Sequence, residues 1–211
     1  MGGAIITFLA QGHEVTICDL TNGEPTPRGS PERRAEEASA AARILGVSRR
    51  ITLPLPNREL ADTIENRRVV AEVIREVRPD LLFVPYWVDA HPDHVAGAAL
   101  AEAARFYAKL TKTTIRGEPH FPRRVYHFLT THYELFVRPS FILDVSEAFE
   151  RKVGAVGAYT SQFGTDRPGE HAIEDWMRRT NGYWGFLIGV RYGEPFVCRE
   201  EVGLSSLDAL L

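Results

Sequence analysis

Two histidines three residues apart, His91 and His94 in WVDAHPDHVAG, are the side chains of this sequence best suited by type and spacing to metal chemistry. Imidazole is a ligand for zinc and for several other first-row divalent metals. Pro92 fits the first turn of a helix, so His91 falls near the N-cap and His94 about one turn in. Their spacing sets both rings on one side. The positive end of the helix dipole favours an anion there, such as hydroxide or an oxyanion. Asp93 between them can hold a histidine N–H and so fix the tautomer that binds metal. A catalytic zinc normally takes three protein ligands, however, and a lone H-x-x-H also suits a plain capped helix start. The remaining histidines, His13, His120, His127, His132 and His171, are isolated and read as surface or hydrogen-bonded residues.

The elements that must position HPDH follow from the apolar pattern. EVTICDL (14–20) and RITLPL (50–55) read as strands. Between them, 30–46 reads as a helix with Ser30 as cap, Pro31 in its first turn and Gly46 as its stop. Val69, Val70, Val73, Ile74 and Val77 mark one face of a second helix that Pro79 ends. DLLFVP (80–85) is a continuous apolar run, as in a buried parallel strand. HPDH follows directly, at the carboxyl edge where ligands bind in such sheets. RVYHFL (124–129) and FILDV (141–145) read as strands, and 146–164 and 171–189 as helices. The expected fold is a Rossmann-like, doubly wound α/β sheet in a single domain, 1–211. The chain opens on a helix, MGGAIITFLAQGH, so the sheet is expected to lack its first strand.

A net charge of -3 and scattered basic residues argue against nucleic acid and anionic membranes as partners. The opening apolar run has no basic flank and is too short to span a bilayer. Cys18 and Cys198 are far apart, no CxxC occurs, and a cytoplasmic, reducing setting fits. Neither GxGxxG nor GxxxxGK[ST] is present, which counts against a nucleotide site.

Several segments together, in order and spacing, resemble one family: CDLTNGEPTPRGSPERRAEEASAAARILG, LPLPNREL, RPDLLFVPYWVDAHPDH, FILDVSEAFERKVGAVGAYTSQF and IGVRYGEPF. They are similar to the LmbE/PIG-L zinc-dependent deacetylases of N-acetylglucosaminyl compounds, in particular those of bacillithiol biosynthesis, which act on N-acetylglucosaminyl malate. The resemblance implies zinc held by a His and an Asp of an early AHPDD motif and by a His of the later HPDH. A second Asp of the early motif serves as general base, and water attacks the amide carbonyl. On that pattern His94 is the zinc ligand, His91 faces the oxyanion, and Asp93 orients His91. Arg34 and Arg124 reach the substrate, and Tyr192 stands near the acyl group. Solvated charge for Arg34 and ordinary packing for Tyr192 remain open. The resemblance also implies homo-oligomers.

AHPDD is absent from these residues; the family places it just before the segment that here begins MGGAII. The expectation is therefore a functional parent with more sequence before Met1, and a 211-residue chain that binds zinc weakly and shows no measurable deacetylation. The alternative is a non-catalytic sugar-binding α/β module that keeps the pocket arginines and drops the metal.

Overall fold

The computed structural model describes residues 1–26, 28–129, 132–133, 135–163, 172–203 and 206. Helix α1 (Gly2–Ala10) comes first, then β1 (Thr16–Asp19), α2 (Pro31–Leu45), β2 (Arg49–Thr52), α3 (Ile64–Val77) and β3 (Leu81–Pro85). The second half holds α4 (Pro92–Ala108), β4 (Arg124–Phe128), β5 (Phe141–Asp144), α5 (Phe149–Gly157), α6 (Thr160–Phe163), α7 (Ala172–Phe186) and β6 (Gly193–Val197).

Local chemistry sets several helix ends. Ser30 accepts a hydrogen bond from the Arg33 N–H, and Gly46 closes α2 with a φ of 86°, where a side chain is strained. Thr63 caps α3 in the same way through the Asn66 N–H. The α3 stripe is realised: Val70, Ala71 and Ile74 are buried, with Val69 and Val73 packed beside them. The run expected as one helix over 146–164 breaks into α5 and α6. The start of the last expected helix, His171, lies outside the described residues.

Strands β1 and β2 pair in parallel, and a second sheet runs in the order β3-β4-β6-β5. β3 and β4 are parallel, while β6 is antiparallel to both β4 and β5. Both sheets share helical layers. α1, α2 and α5 form one core with Ile17 of β1 and Leu143 of β5 packed on it. α3 and α4 form the other, with Ile51 of β2 and Leu82 of β3 packed on it. This is the layered α/β arrangement expected. Among the described residues, β1 and β3 each have one side that pairs with no strand. No helix among them is long and apolar enough to cross a membrane.

Mid-helix Gly97 has a packing reason: a Cβ there would come within 3.2 Å of the Leu20 side chain. The close approach of α4 to the end of β1 therefore favours a glycine. One buried cation ties the α4 exit. Arg75, 4% exposed, donates to the carbonyls of Ala108, Leu110, Ile115 and Gly117. Arg75→Met is expected to cost on the order of 3 kcal/mol, since it strands buried acceptors, and Arg75→Lys should recover little of the loss because ammonium lacks the planar fork. Urea unfolding midpoints check both.

Candidate functional site

The site forms where β3 and β4 deliver their following loops to the same edge. α4 begins as the sequence predicts, with Pro92 in its first turn and His91 as N-cap. The His91 Nδ1 accepts the Asp93 backbone N–H at 3.2 Å. A neutral His91 ring therefore carries its proton on Nε2 and presents a donor outward.

Asp89 organises the group. Its side chain is 1% exposed. Its Oδ2 lies 2.8 Å from His94 Nδ1, while Oδ1 accepts the backbone N–H groups of His91 and His132, each at 3.1 Å. His132 Nδ1 also stands 3.2 Å from Oδ1. Burial pushes the Asp89 carboxyl pKa up, but the hydrogen bonds from His94 and from the two backbone amides prevail and hold it well below the ordinary range. Asp89 stays ionised and accepts a hydrogen bond from the His94 Nδ1–H, which leaves the His94 Nε2 lone pair free for a metal.

The rings of His91 and His94 stack with centroids 4.5 Å apart, and His132 lies 5.4 Å from His94. Asp89, His94 and His132 each offer a donor atom within 4.8 Å of the others. Two imidazoles and a carboxylate suit zinc and other borderline divalent ions, so the residues fit a metal. Asp89→Asn is expected to weaken divalent-metal affinity about 10–100-fold, the usual cost of losing a carboxylate behind a ligating imidazole. Titration with Co²⁺, followed by its visible absorbance, measures this.

The structure corrects the sequence reading at several points. On the family resemblance, HPDH offers a single ligand, His94; the fold gathers three donors, and His132, read as an isolated histidine, is one of them. Asp89 stands within WVDAHPDH, where spacing gives it no role. Asp93 does not orient His91 through its carboxylate. That group, in a residue 8% exposed, accepts the N–H of Arg58 at 2.5 Å and of Leu60 at 3.4 Å. Asp93 thus pins the loop after β2, where Arg58 holds a φ of 69°. Asp93 acts on His91 only through its own main-chain N–H.

Arg124 is not near this edge. It opens β4, level with Leu81 at the amino end of β3, and faces Glu200 at 3.5 Å. Its four-residue separation from Phe128 corresponds to about 13 Å of strand. Tyr192 is buried in the core, stacked on Phe149 with centroids 3.7 Å apart, and its hydroxyl accepts from Arg178 at 3.4 Å. Arg34 sits over the Tyr159 ring at 5.2 Å and against Gly23 in the loop that leaves β1. One of its guanidinium nitrogens, Nη1, is buried without a hydrogen-bond partner, so it keeps a donor to give.

Comparison with known proteins agrees with this geometry. The family model described as PIG-L, GlcNAc-PI de-N-acetylase, matches residues 1–105, which includes HPDH. The chain is 32% identical over 209 residues to the diacetylchitobiose deacetylase of Thermococcus kodakarensis, covering 92% of this chain and 75% of that protein. The crystal structure of the conserved protein TT1542 from Thermus thermophilus superposes with a TM-score of 0.86 at 37% identity, over 96% of this chain and 89% of that one. The N,N'-diacetylchitobiose deacetylase of Pyrococcus horikoshii, complexed with its inhibitor MPG, gives 0.81 at 27% identity, over 100% of this chain and 83% of that one. With a family model that matches residues 1–105 and a deacetylase relative at 32% identity, the chain belongs to the PIG-L family.

Proposed function

We propose that this chain is the larger part of a metal-dependent N-deacetylase of small N-acetylglucosaminyl compounds. The observation that carries this is the Asp89-His94-His132 group beside an outward Nε2–H of His91. The diacetylchitobiose deacetylase relatives support the substrate class. Within that class the sequence resemblance favours N-acetylglucosaminyl malate, in bacillithiol synthesis. Zinc is the metal proposed.

When bound, the metal supplies Lewis-acid polarisation of a carbonyl and a lowered pKa for water. His94 would hold it through Nε2, with Asp89 fixing that tautomer and His132 closing the group. His91 donates its Nε2–H toward the developing oxyanion of the amide carbonyl. Arg34, with its spare donor, binds a hydroxyl or carboxylate of the substrate. His91→Ala is expected to lower kcat about 10²–10³-fold, the usual loss for one oxyanion donor, with metal content unchanged; steady-state kinetics with metal analysis separates the two.

We also propose that a strand bearing a His/Asp pair, ahead of Met1, seats beside β1 and β3 and supplies the general base. The unpaired sides of those strands support this. Residues 1–211 alone should then bind divalent metal weakly and deacetylate slowly or not at all. Association of copies is proposed too, supported by the exposed run Tyr183, Phe186, Leu187 and Ile188 on and after α7.

The test is amine release from N,N'-diacetylchitobiose and N-acetylglucosaminyl malate by the form that includes the upstream reading frame, with and without chelator. Metal-dependent release from either supports the function, and release from the malate alone supports the finer assignment. An in-frame stop codon directly before Met1 would sink the strand proposal. Glucosaminide binding that survives chelation, with no release, would favour the sugar-binding module instead.

A further inference from the structure

A second histidine beneath the site has no part in the chemistry above. His127 is 1% exposed, on β4. Its Nδ1 lies 2.9 Å from the carbonyl oxygen of Pro85, the last residue of β3. A carbonyl only accepts, so Nδ1 carries a proton. The Nε2 lies 2.8 Å from Glu102 Oε1, at an angle that falls short of a full hydrogen bond. Glu102 thus faces the ring nitrogen that Pro85 leaves free.

The same ring meets the edge of Trp87 at 4.6 Å. Arg199 covers Trp87 at 3.8 Å and donates to Glu102 Oε1 at 2.8 Å. Thus β4, α4 and the segment after β6 all converge on Pro85 and Trp87, just ahead of Asp89. The charged groups facing His127 are Glu102 from α4 and Arg199 from the segment after β6.

We propose that the His127–Glu102 pair is a positioning device. It fixes the end of β3 and the Trp87 ring, and so sets the angle at which Asp89, His91 and His94 leave the sheet. The proposal rests on that loop being the functional site, but not on which reaction it performs. Burial holds the His127 pKa below the ordinary value, against the opposing pull of the Pro85 carbonyl and Glu102. Glu102→Gln should therefore lower it further.

The experiment uses protein labelled with 5-fluorotryptophan, whose three tryptophans give three fluorine signals, and ¹⁵N-labelled histidine. In His127→Phe, the Trp87 signal and the ring signals of His91 and His94 should shift. Where deacetylation is measurable, kcat should fall at least about tenfold, as for other residues behind a metal ligand, with KM unchanged. His127→Asn, which can still donate to Pro85, should restore the signals. A folded His127→Phe with unmoved His91 and His94 signals overturns the proposal. If His127→Phe does not fold, Glu102→Gln decides. The pH midpoints of His127 and Trp87 should fall together, and unchanged midpoints overturn it. In the form that includes the upstream reading frame, shifted signals without any deacetylation keep the positioning role and sink the proposed function; deacetylation with unmoved signals does the reverse.

Discussion

In the form that includes the upstream reading frame, replacing His94 by alanine is expected to abolish divalent-metal binding and to lower kcat/KM at least about a thousandfold. The metal's share of transition-state stabilisation is several kcal/mol, and each ~1.36 kcal/mol is about tenfold in rate. The expectation rests on geometry. Asp89 accepts a hydrogen bond from the Nδ1–H of His94 at 2.8 Å, so Nε2 is committed as a lone-pair donor. His91 cannot replace it, because its own Nδ1 already accepts the Asp93 N–H. Asp89 and His132 then leave two donors, short of the three protein ligands a catalytic zinc normally takes. Co²⁺ titration and amine release on the same samples check the two parts. A variant that keeps both would place the metal elsewhere.

The second large effect concerns stability rather than chemistry. Glu194→Ala is expected to cost about 3–5 kcal/mol at neutral pH, the usual result of removing one partner from a buried ion pair. Glu194 is 4% exposed, on β6. Its carboxylate accepts the Gly3 N–H at 3.1 Å and the Ala4 N–H at 2.7 Å, capping α1 from outside. Lys152 of α5 reaches it at 2.8 Å, and Lys152 in turn donates to Asn181 of α7 at 2.7 Å. One acid thus links α1, α5, α7 and β6.

In residues 1–211, with Met1 as the free amino terminus, burial alone would raise the Glu194 pKa, but the Met1 ammonium, Lys152 and the Ala4 N–H overcome it and bring the value from 4.5 to about 2. The folded value lies below the unfolded one. The stabilisation is therefore complete above about pH 4.5 and is lost as pH falls toward about 2. Denaturant unfolding from neutral pH down through that window should show stability falling across it, and the fall should be shallower in Glu194→Gln. An identical pH dependence in both proteins would show that Glu194 does not govern acid stability. Pairing Glu194→Met with Lys152→Met should restore part of the loss, because no lone charge then stays buried.

The parts of the fold set by neighbours in sequence were legible. Ser30, Pro31 and Gly46 fix α2 through bonds spanning a few residues, and His91 and Pro92 fix the start of α4. The strand DLLFVP placed HPDH at the carboxyl edge for the same reason. What escaped depends on distant pairing. His132 meets Asp89 across 43 positions only because β3 and β4 run parallel and end together. Two signals pointed there: an aspartate just before HPDH, and a histidine just past a strand end. Arg124 was misplaced for a related reason. A five-residue strand has two ends, and resemblance alone did not say which one the residue occupies. Asp93 looked like a partner for His91, yet its carboxylate is turned to the loop after β2, a contact 35 positions away.

The most direct test of a metal-dependent deacetylase built on His94 is chelation and reloading. The form that includes the upstream reading frame is stripped with chelator, then supplied with Zn²⁺ or Co²⁺. Amine release from N-acetylglucosaminyl substrates is followed for the wild type and for His94→Ala. Release should disappear on stripping, return on reloading in the wild type, and never return in His94→Ala. Release that survives stripping, or that His94→Ala retains, would contradict a deacetylase built on this histidine.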